Sequence, residues 1–209
     1  MIDKICEMLT NKIRKSMPEI DDERAEIINY GLQNIIGEIP KIFILLIVGY
    51  LLGIGKLTLL SVLIISPYRA FAGGFHLKTH IGCIVCTTLM YCGNAFLSKY
   101  IIMEPLIKYI VIGAVWIFGM IMIKLYAPAD TENVPILRKK DRRFKKIMSY
   151  ITLTISLVIA VFIKNSEISN LIIFGTFIET LTITRLAYKL TNSKYGYEVY
   201  NEDVSSNVA

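Results

Sequence analysis

Two histidines, one tryptophan, six prolines and four cysteines are all that 209 residues hold of those types, and charged residues reach only 19%. So little charge, against 54% apolar content and a mean hydropathy of +0.54, argues against a water-soluble enzyme and sets aside disorder and nucleic-acid binding. The cysteines, Cys6, Cys83, Cys86 and Cys92, are too few and too unevenly placed for a disulfide framework and read as free thiols. Two histidines without an HExxH pattern leave a zinc protease unsupported, and no metal or cofactor is implied. No Asp or Glu occurs between Glu38 and Glu104, which excludes a carboxylate dyad from that stretch. The region 1–38 is charged throughout, so it does not read as a secretory signal.

What the chain does have is segmentation. The runs 81–102, 106–123, 147–163 and 168–187 are 17 to 22 residues long with at most two charges each. A bilayer core of about 30 Å is crossed by roughly 20 helical residues, so these read as membrane helices, and none alternates as a membrane strand would. The apolar stretch 42–66 is interrupted by Gly53, Gly55 and Lys56, which splits it into two short halves. Lys124, Arg138, Lys139, Lys140, Arg142, Arg143, Lys145 and Lys146 make 124–146 a basic cytoplasmic loop by the positive-inside rule. Lys4, Lys12, Arg14 and Lys15 place the N-terminus inside as well, and only a hairpin at 42–66 satisfies both. The expectation is an all-α, polytopic membrane bundle of about six membrane segments, two of them short and forming a hairpin, with both termini at the cytoplasmic face.

The same pattern divides the chain into N-terminal amphipathic cytoplasmic-face helices (1–38), a membrane domain (39–190) and a polar C-terminal tail (191–209). In the first part Ile20, Ile27, Ile28, Leu32, Ile35, Ile36 and Ile39 recur at helical spacing, and Pro18 separates this helix from one carrying Ile5, Leu9 and Ile13. Packing within the bundle and binding at the membrane surface suit these helices about equally.

Chemistry concentrates at 66–86, which holds both histidines and, close behind them, Cys83. Gly73 and Gly74 permit backbone angles that other residues resist, so the chain should break there and present His76 on a turn. Thr79 can cap the next helix, with Cys83 in or just past its first turn, where free N–H groups favour a thiolate. A histidine in reach accepts the thiol proton; on residue spacing alone the base role is split between His76 and His80. Glu179, inside the last run, could orient a histidine, but Arg185, six residues on, is the expected ion-pair partner.

Arg69 to Cys83 with its Gly-Gly-Phe-His, the charged N-terminal helix, and the turn Tyr126-Ala127-Pro128-Ala129-Asp130-Thr131-Glu132-Asn133-Val134-Pro135-Ile136 before a basic run occur in an order that resembles the accessory gene regulator protein B (AgrB) family. Those are membrane peptidases that process precursors of cyclic quorum-sensing peptides in Gram-positive bacteria. The resemblance implies His76 as base and Cys83 as nucleophile, with Arg69, Gly73 and Gly74 supporting the site. It implies a cysteine endopeptidase that removes the precursor's C-terminal tail and, through an acyl thioester on Cys83, supports closure to a thiolactone or lactone. The implied partners are a short amphipathic precursor peptide with an acidic tail and the bilayer of a bacterial cell membrane, with a homodimer left open. Arg138, Lys139, Lys140, Arg142 and Arg143 would attract the acidic tail, unless they serve only to fix topology. The rival class is a non-enzymatic small transporter or accessory subunit, which should place polar groups along a path through several spans.

Overall fold

The computed structural model of the protein describes residues 2–17, 19–77, 79–132 and 135–199. They include eight helices: α1 (Ile2–Ser16), α2 (Asp22–Leu51), α3 (Gly55–Ala72), α4 (His80–Tyr100), α5 (Pro105–Tyr126), α6 (Lys139–Phe162), α7 (Ser166–Thr182) and α8 (Arg185–Leu190). Among the described residues there is no strand; an isolated bridge joins Gly73 and Ala129. The protein is thus the all-α membrane bundle that the apolar runs predict.

Two N-terminal helices form as expected, with Pro18 between them lying outside the described residues. Asp21 caps α2 by accepting the Arg24 N–H at 2.8 Å, and α1 folds back on α2, where Arg14 meets Asp22. However, α2 does not stop at residue 38: it continues through Pro40 into the first apolar run and ends at Leu51. The chain then turns at 52–54, and α3 packs back along α2 as a hairpin.

Among the described residues three helices are long and apolar enough to cross a membrane: Ile81–Tyr100, Pro105–Tyr126 and Lys139–Phe162. Their outer faces leave Leu89, Ile110, Ile117, Ile121, Ile155 and Phe162 exposed, an apolar surface that lipid rather than water would cover. At the centre stands α7, which packs on α3, α4, α5 and α6 and buries Leu171, Ile172, Ile173, Thr176, Glu179 and Thr180. Buried polar groups act as ties between helices rather than as a path. Asn94 of α4 donates to Ser61 Oγ of α3 at 2.9 Å and to the Leu171 carbonyl of α7 at 3.1 Å, and Asn170 donates to the Ile101 carbonyl at 2.7 Å.

Two expected boundaries move. The last third of the expected basic loop is helical, because α6 begins at Lys139; lysine and arginine are good helix formers and Asp141 suits the first turn. The last run breaks at Ile183–Thr184, where Thr184 caps α8 by accepting the Ala187 N–H at 3.3 Å. That break corrects the expected Glu179–Arg185 pair. Arg185 turns outward to Glu198 at 2.7 Å, and even on one unbroken helix six residues at about 100° each would put it on another face from Glu179.

Candidate active site

The loop 73–79 joins α3 to α4, and its shape follows from its glycines. Gly73 has φ +79° and Gly74 φ +145°, and a methyl group on Gly73 would lie 2.2 Å from the Ala129 carbonyl oxygen. On Gly74 it would lie 2.5 Å from Thr182 Oγ1 and 3.1 Å from Arg69 Nη1. The close approach is a short ladder: the Gly74 N–H donates to the Ala129 carbonyl at 2.9 Å, the Ala129 N–H to the Ala72 carbonyl at 2.8 Å, and the Phe75 N–H to the Thr182 carbonyl at 3.3 Å. Gly73→Ala is therefore expected to cost roughly 2–4 kcal/mol and lower the Tm in detergent, since backbone rather than a flexible side chain must move. Gly113→Ala, whose added methyl meets nothing within 4 Å, is the control.

The segment 126–136 thus acquires a role that its sequence did not reveal, as the buttress of the glycine break. Asp130 is buried and its Oδ2 accepts the Ile136 N–H at 2.9 Å and Arg142 Nη1 at 3.0 Å. The hydroxyl of Tyr188 donates to the carbonyls of Ala129 and Asp130 at 3.0 and 2.9 Å, and its ring stacks on Tyr195 at 4.0 Å. From the same C-terminal stretch Ser193 Oγ donates to the His76 carbonyl at 2.9 Å, so α8 and the residues after it brace the loop directly.

Arg69, in the last turn of α3, holds the loop from the inner side. Its Nη1 donates to Glu179 Oε1 at 2.9 Å and its Nη2 to the Phe75 carbonyl at 3.1 Å, one residue before His76. The Glu179 side chain is only 1% exposed, so the arginine is the counter-charge that makes its burial tolerable. Glu179 orients Arg69, not a histidine, and Arg69 positions the backbone that carries His76.

On the far side of the loop Thr79 caps α4 as expected, accepting the Gly82 N–H at 3.2 Å, and the Cys83 N–H bonds the Thr79 carbonyl at 2.9 Å. Cys83 therefore sits at the end of the first turn, half-buried and free. It lines a cavity of about 270 Å³ together with His76, Arg69, Glu38 and Lys41, while Ile42, Leu45, Val62 and Met90 supply apolar wall. The side chain of His80 lies outside the described residues, and the fold adds nothing to its claim on the base role.

The His76 ring keeps an exposed edge but is set among protein atoms, and its pKa is lowered to about 4 by that enclosure first and by the Arg69 cation second. Glu38 opposes the shift, and Lys41 adds slightly to it. At neutral pH the ring is thus uncharged and able to accept a proton, but it binds one weakly. Ionisation of a nearby thiol would strengthen that hold, because the two titrations are coupled.

Of the residues predicted from sequence, Arg69, His76 and Cys83 come together in one cavity, and Gly73 and Gly74 shape its loop. The basic group does not line it. Arg138, Lys139, Lys140 and Arg143 are exposed at the start of α6, whereas Arg142 is engaged with Asp130 and lies over the Tyr197 ring at 4.2 Å. An edge contact between Phe144 and Phe71, 6.3 Å between centroids, keeps this basic end beside the end of α3. Sequence reasoning missed Glu38 and Lys41, although the only clue was available: two charges three apart where the apolar run begins. Among the described residues no group of three or more His, Cys, Asp or Glu could hold a metal ion.

With this geometry in hand, known proteins point the same way. The family model for accessory gene regulator B matches residues 6–183, a span that takes in the whole cavity. A protein named AgrB-like from Clostridium acetobutylicum is 28% identical over 195 residues, covering 93% of this chain and 91% of its own. AgrB-like proteins of Listeria monocytogenes and Listeria welshimeri are 29% and 31% identical, over 86% of this chain and 87% of theirs. No solved structure matches the chain.

Proposed function

The chain belongs to the accessory gene regulator B family, and from that premise we propose that it is a membrane-embedded cysteine endopeptidase that matures a quorum-sensing peptide precursor. The observation that carries this reading is the meeting of His76 and Cys83, seven residues apart in sequence, at one cavity bounded by α2, α3 and α4.

His76 takes the Cys83 proton, the thiolate attacks the carbonyl before the precursor's tail, and a tetrahedral oxyanion forms. The C–N bond then breaks, the tail's amine leaves with the proton from His76, and the peptide stays on Cys83 as a thioester. A cysteine thiol within the peptide adds to that carbonyl, gives its proton back through His76 to the sulfur of Cys83, and closes a thiolactone; a serine hydroxyl gives a lactone. Ring closure beats hydrolysis if water is scarce and the thiol is held close, which an apolar-walled cavity at a membrane surface favours.

The same reading puts the catalytic loop and both termini at the cytoplasmic face, where the positive-inside rule sends the lysines and arginines of 138–146 and of α1. The precursor's acidic tail is drawn to Arg138, Lys139, Lys140 and Arg143, while Arg142 contributes mainly by fixing the start of α6 on Asp130.

The test is incubation of the purified protein in lipid nanodiscs with amphipathic precursor peptides, followed by mass measurement. A cyclic core lighter by one water than the linear fragment, plus a free tail, is the expected outcome. His76→Ala should lose it, and His80→Ala should keep it. Intact precursor throughout, or undiminished processing by His76→Ala, would overturn the assignment.

A further inference from the structure

Lys41 is out of place for a lysine that merely marks the end of a membrane segment. Such residues extend their ammonium into water, whereas Lys41 is 8% exposed and faces the cavity. Its Nζ bonds Glu38 Oε1, one turn earlier on α2, which engages one of its three donors. It lines the same cavity as Cys83, so its charge acts on the thiol. Burying an ammonium is costly unless an anion awaits it, and Glu38 keeps about half of its side chain exposed, at 51%.

The chemistry has a matching need. His76 holds its proton weakly, so an imidazolium alone is a poor support for the anionic sulfur. The charged or titratable groups around the cavity are Glu38 on α2, Arg69 on α3, His76 on the loop and Cys86 and Tyr91 on α4. Arg69 is bound to Glu179 and to the Phe75 carbonyl. Arg69 is thus committed to the inner side of the loop, whereas Lys41 keeps two N–H donors beyond its bond to Glu38.

We propose that Lys41 is a catalytic residue of this cavity, its ammonium holding the Cys83 thiolate and then the oxyanion that inherits the charge, with Glu38 as its anchor. Lys41 keeps its proton throughout; the proton that moves is the one passed from Cys83 to His76 and on to the leaving amine. The inference rests on the cysteine-peptidase reading of the cavity.

The experiment uses the full chain with Cys83 as its only cysteine, Cys6, Cys86 and Cys92 being replaced by alanine, in nanodiscs and without peptide. Alkylation by iodoacetamide is followed against pH. Lys41→Met should raise the apparent thiol pKa by about one unit and slow alkylation at pH 7 by about tenfold, an effect that persists in a His76→Ala background. Lys41→Arg should stay near the parent, and Glu38→Gln should leave the thiol pKa unchanged or lower it. An unchanged profile in Lys41→Met, or a raised pKa in Glu38→Gln, overturns the proposal. Should Lys41→Met fail to insert, Lys41→Gln takes its place with the same expectation. Because no peptide is present, a chain that shows this lysine dependence but never processes a precursor loses the function proposed above and keeps only the lysine's hold on the thiolate, and the reverse result loses only this inference.

Discussion

Cys83→Ala and Cys83→Ser are expected to lower precursor processing by at least about a thousandfold while the protein still inserts and runs as the parent in detergent. The argument is chemical: only a thiolate is nucleophilic enough at neutral pH, and a serine hydroxyl in the same position finds a base with a pKa near 4, far too weak to activate it. The packing cost is small, because Cys83 is half-buried at a cavity rather than locked in the core. The other cysteines separate nucleophile from bystander. Cys92 is buried and donates weakly to the Leu45 carbonyl at 3.7 Å, Cys6 is buried in α1, and Cys86 lines the cavity one turn beyond Cys83. Alanine at each should retain processing, Cys86→Ala with the largest departure because it widens the cavity. Full processing by Cys83→Ala would end the cysteine-peptidase reading, and loss in Cys86→Ala alone would move the nucleophile one turn along α4.

Membrane class, helical content and the loop that carries the chemistry are legible in the sequence because each depends on local composition. Long apolar runs can be satisfied only as helices in lipid, and Gly73–Gly74 followed by a capping Thr79 is a break and restart written in adjacent residues. What could not be read is partnership across distance. Glu179 and Arg69 are 110 positions apart, and Arg185 was nearer in sequence but is turned away by the break at Thr184. Glu38 and Lys41 meet Cys83 only because α2 packs on α4, and the 126–136 segment meets Gly73 only through a ladder between chain segments. The start of α6 is a subtler case. A cluster of like charges suggested a loop, yet Asp130 neutralises Arg142, Lys146 bonds the Lys124 carbonyl, and Arg138, Lys139, Lys140 and Arg143 are exposed, so the helix can begin among them.

The pairing of Arg69 with Glu179 carries the second large effect. Arg69→Ala is expected to destabilise the bundle by about 3–5 kcal/mol, because it leaves the carboxylate of α7 in the core without its counter-charge. Glu179→Gln should cost less, since a neutral amide can still accept from Arg69 and Thr182, which lie 2.9 and 3.1 Å from Oε1. Stability and activity are then separable by removing both charges. Arg69→Met with Glu179→Met fills similar volume without a buried ion, and should recover much of the Tm in detergent. It should not recover processing, because the Phe75 carbonyl has lost the donor at 3.1 Å that fixes the backbone entering His76. Arg69→Lys divides the two duties further: a single ammonium can meet Glu179, but it lacks the planar fork that reaches Glu179 and Phe75 at once. It should therefore unfold later than Arg69→Ala and still process precursor slowly, with the loss in kcat rather than KM. A double methionine variant that regains both stability and turnover would show that Arg69 serves only to neutralise Glu179, and that the loop is held by Ala129, Thr182 and Ser193 without it.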